Sequence, residues 1–211
     1  MSKDLRTVPR RLAFPRQTCN LSPMQTLLDG GQIGKLIAAM ADEIAADSTF
    51  HWQNNGGKDS RAVALVGIRS RGEILAQRLA AALTARVAAH ESQKSIDVGA
   101  LDITLYRDDL SARHAITIPQ GTDMNFRLDD RDVILVDDVL ATGRSVRAAL
   151  DALVDFGRPR LIRLAVLIDR GGREYPIAAD YVGLHVTEST AEQKVIVRLK
   201  PTDGEDSVGL E

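Results

Sequence analysis

Four apolar residues in a row, Val133–Val136, run straight into two aspartates, Asp137 and Asp138, and then into Ala141-Thr142-Gly143-Arg144-Ser145 at the head of a helical pattern. A continuous apolar run is the pattern of a strand covered on both faces. The helix, Ser145–Phe156, is apolar at Val146, Ala149, Leu150 and Leu153, and Gly157 with Pro159 beyond gives it a stop. A strand followed at once by a helix is half of a parallel crossover unit. The same alternation recurs along the chain. Periodicity predicts helices over 30–46 and from Glu73 to about Ala89, and strands over Val63–Ile68, Ile96–Leu105, Leu161–Ile168, Tyr181–Val186 and Val195–Leu199. The expected fold class is therefore α/β, a mostly parallel sheet flanked by helices.

Composition sets the bounds. The 211 residues are 44% hydrophobic and 27% charged, which is ordinary for a globular domain. No apolar run approaches the ~20 residues needed to span a bilayer. The first twenty residues hold no apolar core of the length a secretory signal needs. Their basic charge reads as a disordered leader, with a transit peptide or a basic arm as the alternative; the expected compartment is the cytoplasm. The single cysteine, Cys19, excludes an internal disulfide and a cysteine-based metal site. A net charge of −2 means that any nucleic-acid binding must rest on a local patch. The expected organisation is a basic, disordered leader over 1–28, one domain over 29–200, and a disordered acidic tail over 201–211. The stretch Arg107–Leu128 shows no periodicity and contains Pro119 and Gly121, so it reads as a long functional loop.

In parallel sheets of this kind, ligands sit beyond the carboxyl ends of the strands. Two adjacent carboxylates there are costly unless something uses them. Small residues leading into a helix let backbone N–H groups converge where the helix dipole is positive, which makes a phosphate site. Acceptors for sugar hydroxyls thus stand beside donors for a phosphate, as a phosphorylated ribose requires. On the two carboxylates alone, a solvated Asp-Asp turn with Thr142 or Ser145 as a helix cap is an equal reading.

The longer string is more specific. Val133–Ser145, VILVDDVLATGRS, resembles the motif with which type I phosphoribosyltransferases bind 5-phosphoribosyl-1-pyrophosphate (PRPP). Leu65–Gly72 resembles the pyrophosphate loop of the same family, and Leu101–Leu110, Asp155–Pro159 and Ile168–Gly183 resemble blocks of the PyrR family. The likeness covers roughly Asp29 to Lys200. It implies the type I phosphoribosyltransferase fold with a small hood over the base, and a uracil phosphoribosyltransferase that makes UMP and pyrophosphate from uracil and PRPP. It also implies UMP-dependent regulation of pyrimidine genes through leader mRNA, and a homo-oligomer, a dimer or higher. The alternatives are an RNA-binding regulator that uses the nucleotide site only as a sensor, or a phosphoribosyltransferase without RNA binding.

Roles follow from the resemblance, position by position. Asp137 and Asp138 would hold the ribose hydroxyls. Val139 and Leu140 lead into the loop Ala141, Thr142, Gly143, Arg144 and Ser145, which would hold the 5-phosphate. Ser70, Arg71 and Gly72 would meet the pyrophosphate, while Tyr106 and Arg107 would belong to a loop closing over the substrate. Catalytic weight falls on Asp137, Asp138, Arg71 and Arg107. Mg²⁺ would be held near Asp137 and Asp138, mainly by substrate oxygens and water. Asp169, Arg170, Tyr181 and Val182 are the candidates for the base pocket; for the first two a surface ion pair is the alternative. Ala141 disfavours a purine, because purine-salvage relatives carry an acid at that motif position. A local basic patch for RNA would use Arg144, Arg147, Arg158 and Arg160, with Arg163 beside them. The stretch Asp29–Asp47, where PyrR proteins carry a basic helix, holds only Lys35 against four acids. Gly30–Lys35 has a faint likeness to a P-loop but lacks its first Gly and its Ser or Thr, and the four histidines lack metal-ligand spacing.

Overall fold

The computed structural model describes residues 25–50, 63–87, 96–108, 121–186 and 193–211. Five strands form the central sheet: β2 (Val63–Ile68), β3 (Asp97–Leu101), β4 (Asp132–Leu140), β5 (Leu161–Asp169) and β6 (Tyr181–His185). Their order is β3-β2-β4-β5-β6 and every neighbouring pair is parallel. Helices α1 (Gly30–Ala46) and α2 (Arg71–Val87) pack on one face, and α3 (Arg144–Leu153) on the other. All six residues of β2 are buried, as a continuous apolar run between two helical layers requires. Alternation sends Leu65, Ile134 and Val136 toward α1 and α2, and Val66, Val133 and Leu135 toward α3. No helix of the described residues is long and apolar enough to cross a membrane.

The faint P-loop is a helix start. Asp29 caps α1: its carboxylate accepts from the Gln32 amide at 2.8 Å, and the Gln32 side chain accepts from the Asp29 amide at 2.9 Å. That reciprocal capping box accounts for the Asp-Gly-Gly-Gln spacing.

Two ends of the chain depart from expectation. Residues 25–28, assigned to a disordered leader, and Ser207–Leu210 of the acidic tail both belong to a second, antiparallel sheet. It has the order β1-β8-β7, with β1 (Gln25–Asp29), β7 (Val195–Arg198) and β8 (Ser207–Leu210). Val208 is fully buried there. Three of the tail's four acids are answered by arginines: Asp206 takes two bonds from Arg78 at 2.9 Å each, Asp203 takes two from Arg71, and Glu205 pairs with Arg198 at 3.0 Å. Local composition signalled solvation; neutralisation of Asp203 and Asp206 from α2, far away in sequence, reverses it.

The loop assigned to Arg107–Leu128 is also shorter than expected. Asp123 exchanges two backbone hydrogen bonds of 2.8 Å with Ala100, and Leu128 is fully buried. The rest of the stretch, 109–120, on which the expected closing loop falls, lies outside the described residues.

Candidate active site

From β2 the chain crosses to β3 on one side, and from β4 it crosses to β5 on the other. The strand order therefore reverses between β2 and β4, and a crevice opens beyond their carboxyl ends. The turn Arg69–Gly72 and the two aspartates of β4 face each other across it. Contact is close: a Cβ on Gly72 would lie 2.5 Å from the Val136 carbonyl, and one on Gly67 would lie 2.3 Å from the Gly72 carbonyl. Only glycine lets the backbone of this turn lie against β4. The Arg69–Ser70 peptide is cis.

Asp137 is buried at 6% exposure, and neither it nor Asp138 forms an ion pair among the described residues. Each carboxylate accepts a backbone amide just ahead of it, Asp138 N to Asp137 Oδ1 at 2.9 Å and Val139 N to Asp138 Oδ1 at 3.0 Å. Burial, reinforced by the charge of Asp138, pushes Asp137 well above the ordinary carboxylate range, and Arg107 opposes this only in part. Burial also raises Asp138, against the pull of Asp137's hydrogen bond and of Arg71. Such a pair at a crevice, Asp137 buried and Asp138 half-buried, is poised to take up a proton, a cation or hydroxyl donors.

Gly143 adopts φ 90° and caps α3. This left-handed turn carries the chain from the carboxyl end of β4 into α3. The Thr142 hydroxyl accepts from Arg144 N at 3.4 Å, and Arg107 Nη1 donates to the Ser145 hydroxyl at 3.3 Å. Arg107 thus reaches the loop that sequence assigned to a phosphate.

Other expected residues are already engaged. Arg71 is gripped by Asp203 at 2.9 and 3.0 Å, at the edge of the crevice. The Tyr106 hydroxyl donates to Asp155 and turns away from the crevice. Asp169 does not pair with Arg170; it accepts from Arg173 at 2.6 Å, which with its neighbour bond from Gly171 holds it below the ordinary range despite burial. Arg170 instead donates to the Gln193 carbonyl at 2.8 Å.

The assignment of Tyr181 and Val182 to a base pocket is corrected. Tyr181 is buried on the α1 face, and its hydroxyl donates to Asp47 at 2.6 Å beyond the end of that helix. Burial and Asp47 raise its pKa. Val182 packs into the core on the α3 face. The single arginine patch is corrected as well. Arg144 and Arg147 stand at the crevice end of α3, bonded to Glu174, Asp108 and Asp151. Arg158 is exposed beyond the far end of α3; Arg160 binds buried Asp132, and Arg163 binds Asp180. At 1.5 Å per residue, α3 alone separates the groups by about 15 Å.

Sequence reasoning missed Asp108, Arg173, Glu174 and Tyr175. Asp108 accepts from Arg144 at 3.0 Å and from the Tyr175 hydroxyl at 3.3 Å, and both Arg144 and Arg147 lie over the Tyr175 ring at 5.5 and 5.9 Å. Arg173 donates to the carbonyls of Ala141 and Ile177 at 2.8 and 2.9 Å. Only the pattern REY hinted at the last three, and the bonds that tie them to Ala141, Arg144 and Asp108 span 30 or more residues.

A parallel sheet with its crevice at the strand reversal, a carboxylate pair and a helix-capping loop together set acceptors for sugar hydroxyls beside donors for a phosphate. The phosphoribosyl transferase domain model matches residues 24–201. A "Bifunctional protein PyrR" from Roseiflexus sp. is 50% identical over 178 residues, 84% of this chain and 89% of that one. Another from Chloroflexus aurantiacus is 50% identical over 182 residues, 86% of this chain and 92% of that one. A solved hypoxanthine phosphoribosyltransferase of Trypanosoma cruzi shares the fold at a TM-score of 0.62, with 18% identity over 88% of this chain and 95% of its own. The chain belongs to the phosphoribosyl transferase domain family and, within it, to the PyrR proteins.

Proposed function

We propose that this chain transfers the 5-phosphoribosyl group of PRPP to uracil, releasing UMP and pyrophosphate. The observation that carries the reading is the pair of buried Asp137 and half-buried Asp138 set directly before a loop that opens α3. Membership in a family of bifunctional PyrR relatives supports the choice of a pyrimidine, and Ala141 offers no acid to a purine ring.

In this reading, Asp137 and Asp138 accept the ribose hydroxyls, and hydrogen bonding there offsets their repulsion. Backbone amides from Ala141 to Ser145, with the Thr142 and Ser145 hydroxyls, hold the 5-phosphate. As the bond from C1 to the pyrophosphate oxygen breaks, positive charge grows on the sugar and negative charge on the leaving group. Arg107 sits to stabilise the bound phosphates and exclude water. Arg71 and Ser70 line the leaving-group side, where Arg71 exchanges Asp203 for pyrophosphate. Paired carboxylates suit a hard cation, and no cluster of three or more metal-ligating side chains occurs among the described residues, so Mg²⁺ would complete its shell with substrate oxygens and water. When bound it supplies charge neutralisation to the departing pyrophosphate.

Incubation with PRPP, Mg²⁺ and uracil, hypoxanthine or guanine tests the reading. UMP is the expected product, and omission of Mg²⁺ should leave almost no turnover; a purine nucleotide as the main product would overturn the assignment.

The second half of the reading is regulatory: UMP-dependent binding of pyrimidine leader mRNA in the cytoplasm, supported by the bifunctional relatives. Arg144 and Arg147 lie at the nucleotide end of α3, where occupancy of the site alters their surroundings. The contact would weaken steeply with salt. Titration of leader RNA and of an unrelated RNA, with and without UMP, decides it: equal binding that UMP does not change sinks the regulatory half.

A further inference from the structure

A loop that aims its amides inward must turn its carbonyls outward, and a buried carbonyl needs a donor. The loop after β4 meets that demand from one segment. Arg173 Nη1 donates to Ala141 O at 2.8 Å and to Leu140 O at 3.4 Å. Its Nε donates to Ile177 O at 2.9 Å and its Nη2 to the Asp169 carboxylate at 2.6 Å. The amides of Glu174 and Tyr175 donate to Thr142 O at 2.9 and 3.0 Å. Every outward carbonyl from Leu140 to Thr142 is therefore held by residues 170–175, with Arg170 N adding a bond to Leu140 O at 3.0 Å. The side chains of Tyr175 and Ile177 press on the left-handed glycine: a Cβ on Gly143 would lie 3.3 Å from the first and 3.4 Å from the second.

We propose that Arg173 is the positioning residue of the phosphate loop, fixing the loop's outer carbonyls so that its inner amides converge on one phosphate, and tying that loop to Asp169 at the end of the adjacent strand. The inference rests on the phosphoribosyl reading above. A planar guanidinium reaches four acceptors at fixed angles; an ammonium cannot. The loop is thereby rigid before substrate arrives, and the segment after β5 shares any change in it.

The test uses ribose 5-phosphate, which needs the loop and not the base. In calorimetric titration, Arg173→Ala should weaken its binding roughly 10- to 100-fold, the cost of misplacing a site by a fraction of its geometry. The KM for PRPP should rise correspondingly more than kcat falls, and ethylguanidinium should restore part of the loss. Arg173→Lys keeps the charge and should recover only a minor share of the affinity. It also decides the matter if the alanine variant fails to fold, which circular dichroism would show. Unaltered ribose 5-phosphate affinity in Arg173→Ala, or full recovery by lysine, overturns the inference. Failure of the unmodified chain to bind ribose 5-phosphate overturns the phosphoribosyl reading itself, a distinct result.

Discussion

Strand β4 carries buried aspartates at both ends, and they are treated in opposite ways. At its start, Asp132 is fully buried and accepts from Arg160 Nε at 2.6 Å, while Arg160 also reaches the Thr49 carbonyl. Near its other end, Asp137 and Asp138 are left beside one another, with their pKa values raised and no ion pair among the described residues. A charge the protein neutralises itself ties elements together. A charge pair it leaves in mutual repulsion is held for something that comes from outside.

The comparison breaks most readily at the site end. Asp137→Asn or Asp138→Asn should cut turnover roughly 100- to 1,000-fold, as for loss of one preorganised polar group, in the UMP-forming assay. Asp132→Asn should leave turnover per folded molecule unchanged. If Asp132→Asn matches the site variants in lost activity with the fold intact, the contrast between the two ends collapses.

Stability should move the other way. Asp132→Asn removes a charged partner of Arg160 and should cost about 1–3 kcal/mol in denaturant unfolding. Asp137→Asn should stabilise the chain at neutral pH by relieving repulsion and burial of charge. Asp137 titrates above its unfolded value of 3.8 when folded, so the folded state binds the extra proton. Its favourable contribution is full below the unfolded value and is lost as pH rises through the folded one. The melting-temperature advantage of Asp137→Asn should accordingly be smallest in acid and widen with pH; a gap that narrows on raising pH would contradict the pairing described.

The smallest effect is expected at Tyr181. Its hydroxyl serves Asp47 at the end of the sheet away from the crevice, so Tyr181→Phe should cost about 1 kcal/mol of stability and leave the KM for uracil unchanged. A raised KM would return Tyr181 to the base pocket.

What was legible in the sequence was local. The apolar run of β4, the acids behind it and the small-residue entry to α3 lie within thirteen residues, and each constrains the next. Tyr181 was misread because its neighbourhood in sequence placed it near a strand after the site, whereas strand alternation and register turn it toward α1. The acidic tail was misread because its partners, Arg71 and Arg78, lie more than 120 residues away. Arg173 was invisible for the same reason: its role is written in the carbonyls of another loop, and carbonyls leave no trace in residue identity.

The position of β8 in the middle of the small sheet sets an order of assembly. The β1 strand is among the first described segments to be synthesised, yet it pairs only with β8, which is the last. The five parallel strands and their crevice can be complete while β1 still waits for its neighbour. During synthesis, Arg71 and Arg78 remain without the carboxylates that will claim them until Asp203 and Asp206, just ahead of β8, emerge. A stop codon just before Ser207 would therefore yield a chain with an intact central sheet and a broken cover, in which two flanking strands have lost the one between them.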